Sequence, residues 1–330
     1  MFPLLRKFIL VFVLVAIVSC KSTPTSLGQR TVPPSPTKTL ENSAVKSTNS
    51  SPIIAGCQVF PANNPWNQDI SQVPVDVNTD KYIASINRGG KFLKPNFGFK
   101  AKYDITYIIV DSTQPKVPVQ FKYVDESDSD SYPIPPNLQI QGNEDSQLVI
   151  LEKDDCMLYE LYNPQYTDDV GWSAEAGAIF DLKSNAIRPD CWTSADGAGL
   201  PILPGLVRYD EVASGKIQHA LRFSVSQTQR AFIHPATHFA SKFNNPNLPP
   251  MGLRLRLKAN FDTSKYTGHA RVILNALKKY GLIVAENGTS WKIMGAADRR
   301  WNDNDLKQLK QVPGSAFEVV ASGAIRKECW

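Results

Sequence analysis

Between residues 107 and 225 the apolar side chains come in short runs that never reach helical length, and this spacing limits the fold more than any other feature. Runs at 107–110, 117–121, 148–151, 157–162, 178–180 and 220–225 are rich in Val, Ile, Leu, Phe and Tyr. Clusters of Pro, Gly, Asn and Asp separate them, the pattern of β-strands joined by turns. Only the last third has a helical period. Residues 268–280 place Val272, Ile273, Ala276, Leu277 and Tyr280 on one stripe, with Lys278 and Lys279 near its end and Gly281 as its stop. A β-hairpin is predicted next, 282–285 pairing with 290–294 around Asn287-Gly288. A short helix follows at 304–310 with Asp303 as its cap. The expected fold is mainly β, a β-sandwich or jelly-roll-like body with one or two helices near the C-terminus, an α+β chain overall.

The N-terminus obeys different rules. Arg6 and Lys7 precede an apolar stretch from Phe8 to Ser19, the layout of a secretory signal. The stretch is shorter than the ~20 apolar residues a membrane helix needs. Its end, Ile17-Val-Ser-Cys20, resembles the lipobox of a bacterial lipoprotein signal peptide. The resemblance implies removal of residues 1–19, acylation of Cys20, and attachment to a membrane of the cell envelope, facing the periplasm or the outside. Residues 20–56 are dominated by Ser, Thr, Pro and Lys and bury too little to offset ordering entropy, so they are expected to form a disordered linker. A coil of this length spans roughly 30 to 35 Å. Residues 57–330 then form a single globular domain.

Residues 1–56 hold six of the chain's 36 basic residues and one of its 31 acidic ones, leaving 30 of each in the body. A balanced body gives no global electrostatic case for nucleic acid. With Cys20 assigned to lipid, Cys57, Cys156, Cys191 and Cys329 remain, an even set suited to two disulfides in an oxidising compartment. Three connectivities are open, with Cys57–Cys329 as a guess that would staple the ends. The four are too scattered for a zinc site. His234 and His238 have i,i+4 spacing, but Pro235 lies between them and no zincin Glu accompanies them, so no metal is expected. No cofactor is expected either, because the chain has no phosphate loop, dinucleotide fingerprint or Gly-x-Ser-x-Gly.

Strand 157–162 is the best place for chemistry. Alternation puts Cys156, Leu158, Glu160 and Tyr162 on one face and Met157, Tyr159 and Leu161 on the other. A carboxylate among these neighbours is partly desolvated, which raises its pKa and suits a general acid. The competing reading pairs Glu160 with Arg222. Asp181 ends the next apolar run, and two carboxylates on neighbouring strands are what glycoside hydrolysis requires. Asp181 equally suits the start of a turn. The apolar loop 190–205 carries Trp192, able to stack on a sugar, and Asp196, able to bind its hydroxyls. The same loop reads as a packed crossover fastened by Cys191. His219 lies on the face of Ile217, Leu221, Phe223 and Val225, where a hydrogen-bonded core histidine competes with a catalytic one. In 253–258, leucines alternate with Arg254, Arg256 and Lys258; leucines inward and cations outward would repeat charge every ~6.6 Å, matching an acidic polymer such as a uronate chain, lipid phosphates, or merely a solvated face.

Several longer runs, Phe60-Pro-Ala-Asn-Asn-Pro-Trp-Asn67, Tyr82-Ile-Ala-Ser-Ile86, Trp192-Thr-Ser-Ala-Asp196 with Pro204-Gly-Leu-Val-Arg-Tyr-Asp210, and Leu248-Pro-Pro-Met-Gly-Leu-Arg-Leu-Arg-Leu-Lys258, resemble a family of secreted bacterial proteins. The resemblance implies that the body is one unit; it carries no activity and no catalytic residue. Two functions are expected to compete. One is a tethered carbohydrate-active enzyme, with Glu160 and Asp181 as acid and base or nucleophile and His219, Asp196 and Trp192 around the substrate. The other is a non-catalytic envelope protein that binds glycan or a protein through the Trp192 loop and the 254–258 stripe. An open cleft with two carboxylates favours the first, and Glu160 neutralised by Arg222 favours the second.

Overall fold

The computed structural model describes residues 51–99, 105–136, 138 and 146–329, which fall within one compact unit. The signal segment, Cys20 and the linker up to residue 50 lie outside the described residues. The described residues begin a little ahead of Cys57. Strand β1 (Ile53–Ile54) pairs with β2 (Cys57–Gln58), and Ile54 is buried in the main core.

The first lobe is a β-sandwich. One sheet has the order β6-β5-β10-β9, made of β5 (Val117–Phe121), β6 (Ser131–Tyr132), β9 (Gln165–Thr167) and β10 (Gly171–Ala174). The other has the order β11-β8-β7-β4, made of β4 (Tyr107–Val110), β7 (Gln147–Glu152), β8 (Met157–Tyr162) and β11 (Ala176–Asp181). Tyr132, Leu148, Ile150, Tyr159, Leu161 and Ala174 close the space between them. The second sheet is buried on its far side as well. Val149, Leu151, Leu158 and Ala178 point away from the sandwich into the main core, as period-two alternation requires.

That core belongs to a six-stranded sheet of order β16-β13-β14-β12-β15-β3. Its strands are β3 (Lys94–Asn96), β12 (Leu221–Val225), β13 (Arg254–Leu257), β14 (Leu282–Asn287), β15 (Lys292–Met294) and β16 (Phe317–Val319). The expected hairpin of 282–285 with 290–294 does not form, because β12 lies between β14 and β15, parallel to one and antiparallel to the other. The residues after β14 therefore span a strand's width, and Asn287 binds sideways to Thr228 and Ser241 (3.0 Å each) instead of making a tight turn.

Helices α1 (Thr79–Arg88), α2 (Tyr209–Ala213), α3 (Gly268–Lys279) and α4 (Asp303–Lys307) complete the fold, so helix is not confined to the C-terminal third. In α3 the apolar stripe Ala270, Ile273, Leu274 and Leu277 is fully buried, while Lys278 and Lys279 offset the helix dipole in the last turn. Gly281 stops the helix at φ +74°, and a side chain there would strike the Leu255 carbonyl. The cap of α4 is Asn302, whose side chain accepts from the Asn304 and Asp305 amides, rather than Asp303. Disulfides join Cys57 to Cys156 and Cys191 to Cys329, which replaces the guessed Cys57–Cys329 staple. The first ties the β1–β2 hairpin to the β7–β8 turn, and the second ties the Trp192 loop to the C-terminal tail. Two such bridges fit an oxidising, exported compartment. Among the described residues no helix is long and apolar enough to cross a membrane.

Candidate functional site

Glu160 crosses the junction between the sandwich and the six-stranded sheet. It faces the main core from the centre of β8, between Val149 and Ala178, and has no solvent exposure. Across the junction, Pro201 and Pro204 carry no N–H, so the amides of Ile202 and Leu203 between them need an acceptor. Glu160 supplies it. The Ile202 N–H lies 2.9 Å from each carboxylate oxygen, and the Leu203 N–H donates to Oε1 at 3.0 Å. Burial pushes the Glu160 carboxyl up to about 7, against the pull of those two amides and of Arg222.

Asp196 and Arg222 meet at the same junction. Arg222, on β12, is ion-paired with Asp196 Oδ2, and Asp196 Oδ1 accepts from the Ala198 N–H at 2.8 Å. Burial lifts the Asp196 carboxyl to about 7; Arg222 opposes the rise and Glu286 adds to it. Glu286, at the end of β14, accepts from the Gly197 N–H at 2.8 Å. Arg222 Nε is buried without a hydrogen-bond partner among the described residues. Glu160, Asp196 and Arg222, separated by up to 62 positions along the chain, thus form one buried charge cluster of two carboxylates and one guanidinium.

The other sequence-predicted residues lie elsewhere. Asp181 is not a partner of Glu160. In the β8–β11 ladder Glu160 faces Ala178, whereas Asp181 faces Met157 and points to the opposite side of the sheet. Exposed at the strand end, Asp181 accepts from the Lys183 N–H at 2.8 Å as the first residue of a turn. His219 is 1% exposed and sits in a separate network. Its Nδ1 donates to the Ala220 carbonyl at 2.8 Å, while Nε2 faces Glu211 at 3.1 Å and Arg208 at 3.2 Å. Burial of Glu211 works to raise its pKa, yet Arg208 and His219 hold it below the usual range.

The expected cationic stripe is absent. Both faces of β13 are covered, so Arg254 and Arg256 are buried along with Leu255 and Leu257. Arg254 donates to the carbonyls of Gln68 (3.2 Å) and Tyr280 (3.1 Å). Arg256 pairs with Glu318 at 2.8 Å and donates to the carbonyls of Ile70 and Val73. Alternation separates two faces of a strand; it does not say whether the second face is wet.

Trp192 is half-buried, with the Arg188 guanidinium 5.4 Å from its ring centre. Arg188 also lies over Phe180 and is ion-paired with Asp128 at 2.9 Å. Beside this group is a cavity of about 50 Å³ whose lining includes Phe60, Asn64, Trp66, Phe180, Asn185 and Arg188. A larger open depression of about 500 Å³ lies at the end of β4, lined by Asp111, Thr113, Gln114 and Lys153 among others, and contains none of the buried carboxylates. His234 binds Asp190 at 2.6 Å while His238 faces Glu126 at 3.9 Å, so the two histidines do not converge. No group of three or more metal-ligating side chains occurs among the described residues.

Sequence reasoning missed Arg188, Arg208, Glu211 and Glu286. Arg208 and Glu211 had a usable signal in their i,i+3 spacing; Glu286 was concealed inside the expected hairpin. No family model, curated protein or solved structure matches this chain.

Proposed function

We propose that this is an exported lipoprotein, held at a membrane by acyl chains on Cys20, whose body binds glycan without cleaving it. The condition of Glu160 carries this proposal. Both of its oxygens are occupied by backbone N–H groups at zero exposure, and among the described residues no second carboxylate stands across an open cleft from it. General acid catalysis needs a proton within reach of substrate. The features that suit a ligand lie at the cavity beside Arg188, where Phe60, Trp66 and Phe180 adjoin the carboxamides of Asn64 and Asn185 and the Arg188 guanidinium, which in turn lies over Trp192. Aromatic faces with a few convergent polar groups are the usual composition of sugar sites. The cavity's size admits an exocyclic arm of a sugar, with the ring left outside it.

The test is sedimentation with a panel of insoluble polysaccharides that includes peptidoglycan, run beside reducing-end release. The expected result is binding to at least one glycan with no release, weakened tenfold or more by Trp192→Ala and unaffected by Glu160→Gln in folded protein. Release of reducing ends that Glu160→Gln abolishes would establish an enzyme instead.

A further inference from the structure

The cations that are accessible near β13 lie just beyond it, around the segment 258–266 and the outer side of α3. Lys265 and Arg271 are exposed, and Lys258 and Lys278 are half-exposed. Their partners leave their charge uncancelled. Lys258 Nζ donates to the Ser315 carbonyl at 2.9 Å, and Lys278 Nζ to the Ala259 carbonyl at 3.0 Å. Arg271 donates to the carbonyls of Tyr266 and Ser264. Lys265 lies over the rings of Phe261 (5.7 Å) and Tyr266 (5.5 Å). Lys279 is spent on Asp69 at 3.8 Å and is not counted.

Asp262 lies beside Lys265 and Lys278, and its carboxyl is held below the usual range chiefly by the hydroxyl and N–H of Ser264, with those two lysines helping. The body as a whole is balanced, so this is a local concentration of positive charge. We propose that this face rests on the anionic headgroups of a lipid bilayer. The proposal depends on the tether described above, which would keep the body within tens of ångströms of such a surface. A cation close to an anionic bilayer strengthens binding about fivefold, and salt screens the effect within ~10 Å. Phe261, half-buried beside Lys265, adds an aromatic edge at the level where headgroups meet acyl chains.

The experiment uses the chain from residue 20 onward with Cys20→Ser, which removes only the acyl attachment point. Its partitioning is measured onto vesicles of phosphatidylglycerol and phosphatidylcholine, and onto phosphatidylcholine alone. Expected are a preference for the anionic vesicles that fades with salt, and at least a tenfold loss in Lys265→Glu/Arg271→Glu/Lys278→Glu. Matched urea midpoints for parent and variant check the fold. Equal partitioning of parent and triple variant, or no preference for anionic vesicles, would overturn the proposal. So would a preference that disappears only when the linker cations Lys21, Arg30, Lys38 and Lys46 are reversed. The mass of the Cys20 peptide from envelope material tests the tether separately, since an unmodified cysteine would leave the vesicle result standing.

Discussion

Arg222 of β12 is ion-paired with Asp196 of the Trp192 loop where both are almost wholly out of water, 3% and 1% exposed. Removing the cation leaves Asp196 and Glu160 buried without their nearest positive charge. Arg222→Ala is expected to cost about 3 to 5 kcal/mol in urea unfolding. Arg222→Met combined with Asp196→Asn should recover part of that loss, because the uncompensated charge is gone. A double variant no more stable than Arg222→Ala would count against the pair as the seat of the loss.

The same cluster fixes a pH dependence. Glu160 and Asp196 are both raised in the folded chain to about 7, from ordinary values of 4.5 and 3.8. A raised carboxyl binds its proton more tightly when folded. The stabilisation is therefore fully present below the unfolded values and is lost as pH rises through about 7. For Glu160 the span corresponds to roughly 3 kcal/mol. Urea midpoints should fall between pH 5 and pH 8, and Glu160→Gln should show a shallower fall. A midpoint that rises over this interval would contradict the assignment.

The disulfides enclose long stretches, with sequence separations of 99 and 138. Cys57→Ser/Cys156→Ser and Cys191→Ser/Cys329→Ser should each lower stability by about 2 to 5 kcal/mol. Peptide mapping without reduction should recover these two pairs and no Cys57–Cys329 peptide.

Arg256 holds residues 70–73 against the sheet through two carbonyls and is paired with Glu318. Arg256→Ala should destabilise by about 3 kcal/mol while leaving glycan sedimentation of the folded fraction unchanged. Loss of binding at unchanged stability would return Arg256 to the ligand surface.

Strand positions are legible in this chain because each run is bounded by residues that turns need, and 107–110, 117–121 and 157–162 coincide with observed strands. The face of Glu160 is legible too, since alternation depends only on the local backbone. Its partner is not. Whether Glu160 meets Ala178 or Asp181 depends on register, which is set by packing of the whole sheet. The insertion of β12 between β14 and β15 is equally invisible, because a crossover from residue 225 to 282 leaves no local mark. Arg254 and Arg256 were misread because their acceptors, the carbonyls of residues 68–73 and 280, come from distant segments.

If the proposed lipid anchor holds the chain by its N-terminal end, load enters at that end, and the Cys57–Cys156 bridge determines where it goes. The β1–β2 hairpin is two residues per strand and would peel away under modest tension on hydrogen bonds alone. A covalent bond at Cys57 instead passes tension into the turn between β7 and β8, the two central strands of their sheet. In a force-extension trace, pulling from ahead of residue 51 can peel β1, which precedes Cys57, but extension should stop at Cys57 while the bridge is intact. A small, low-force step should appear once it is reduced.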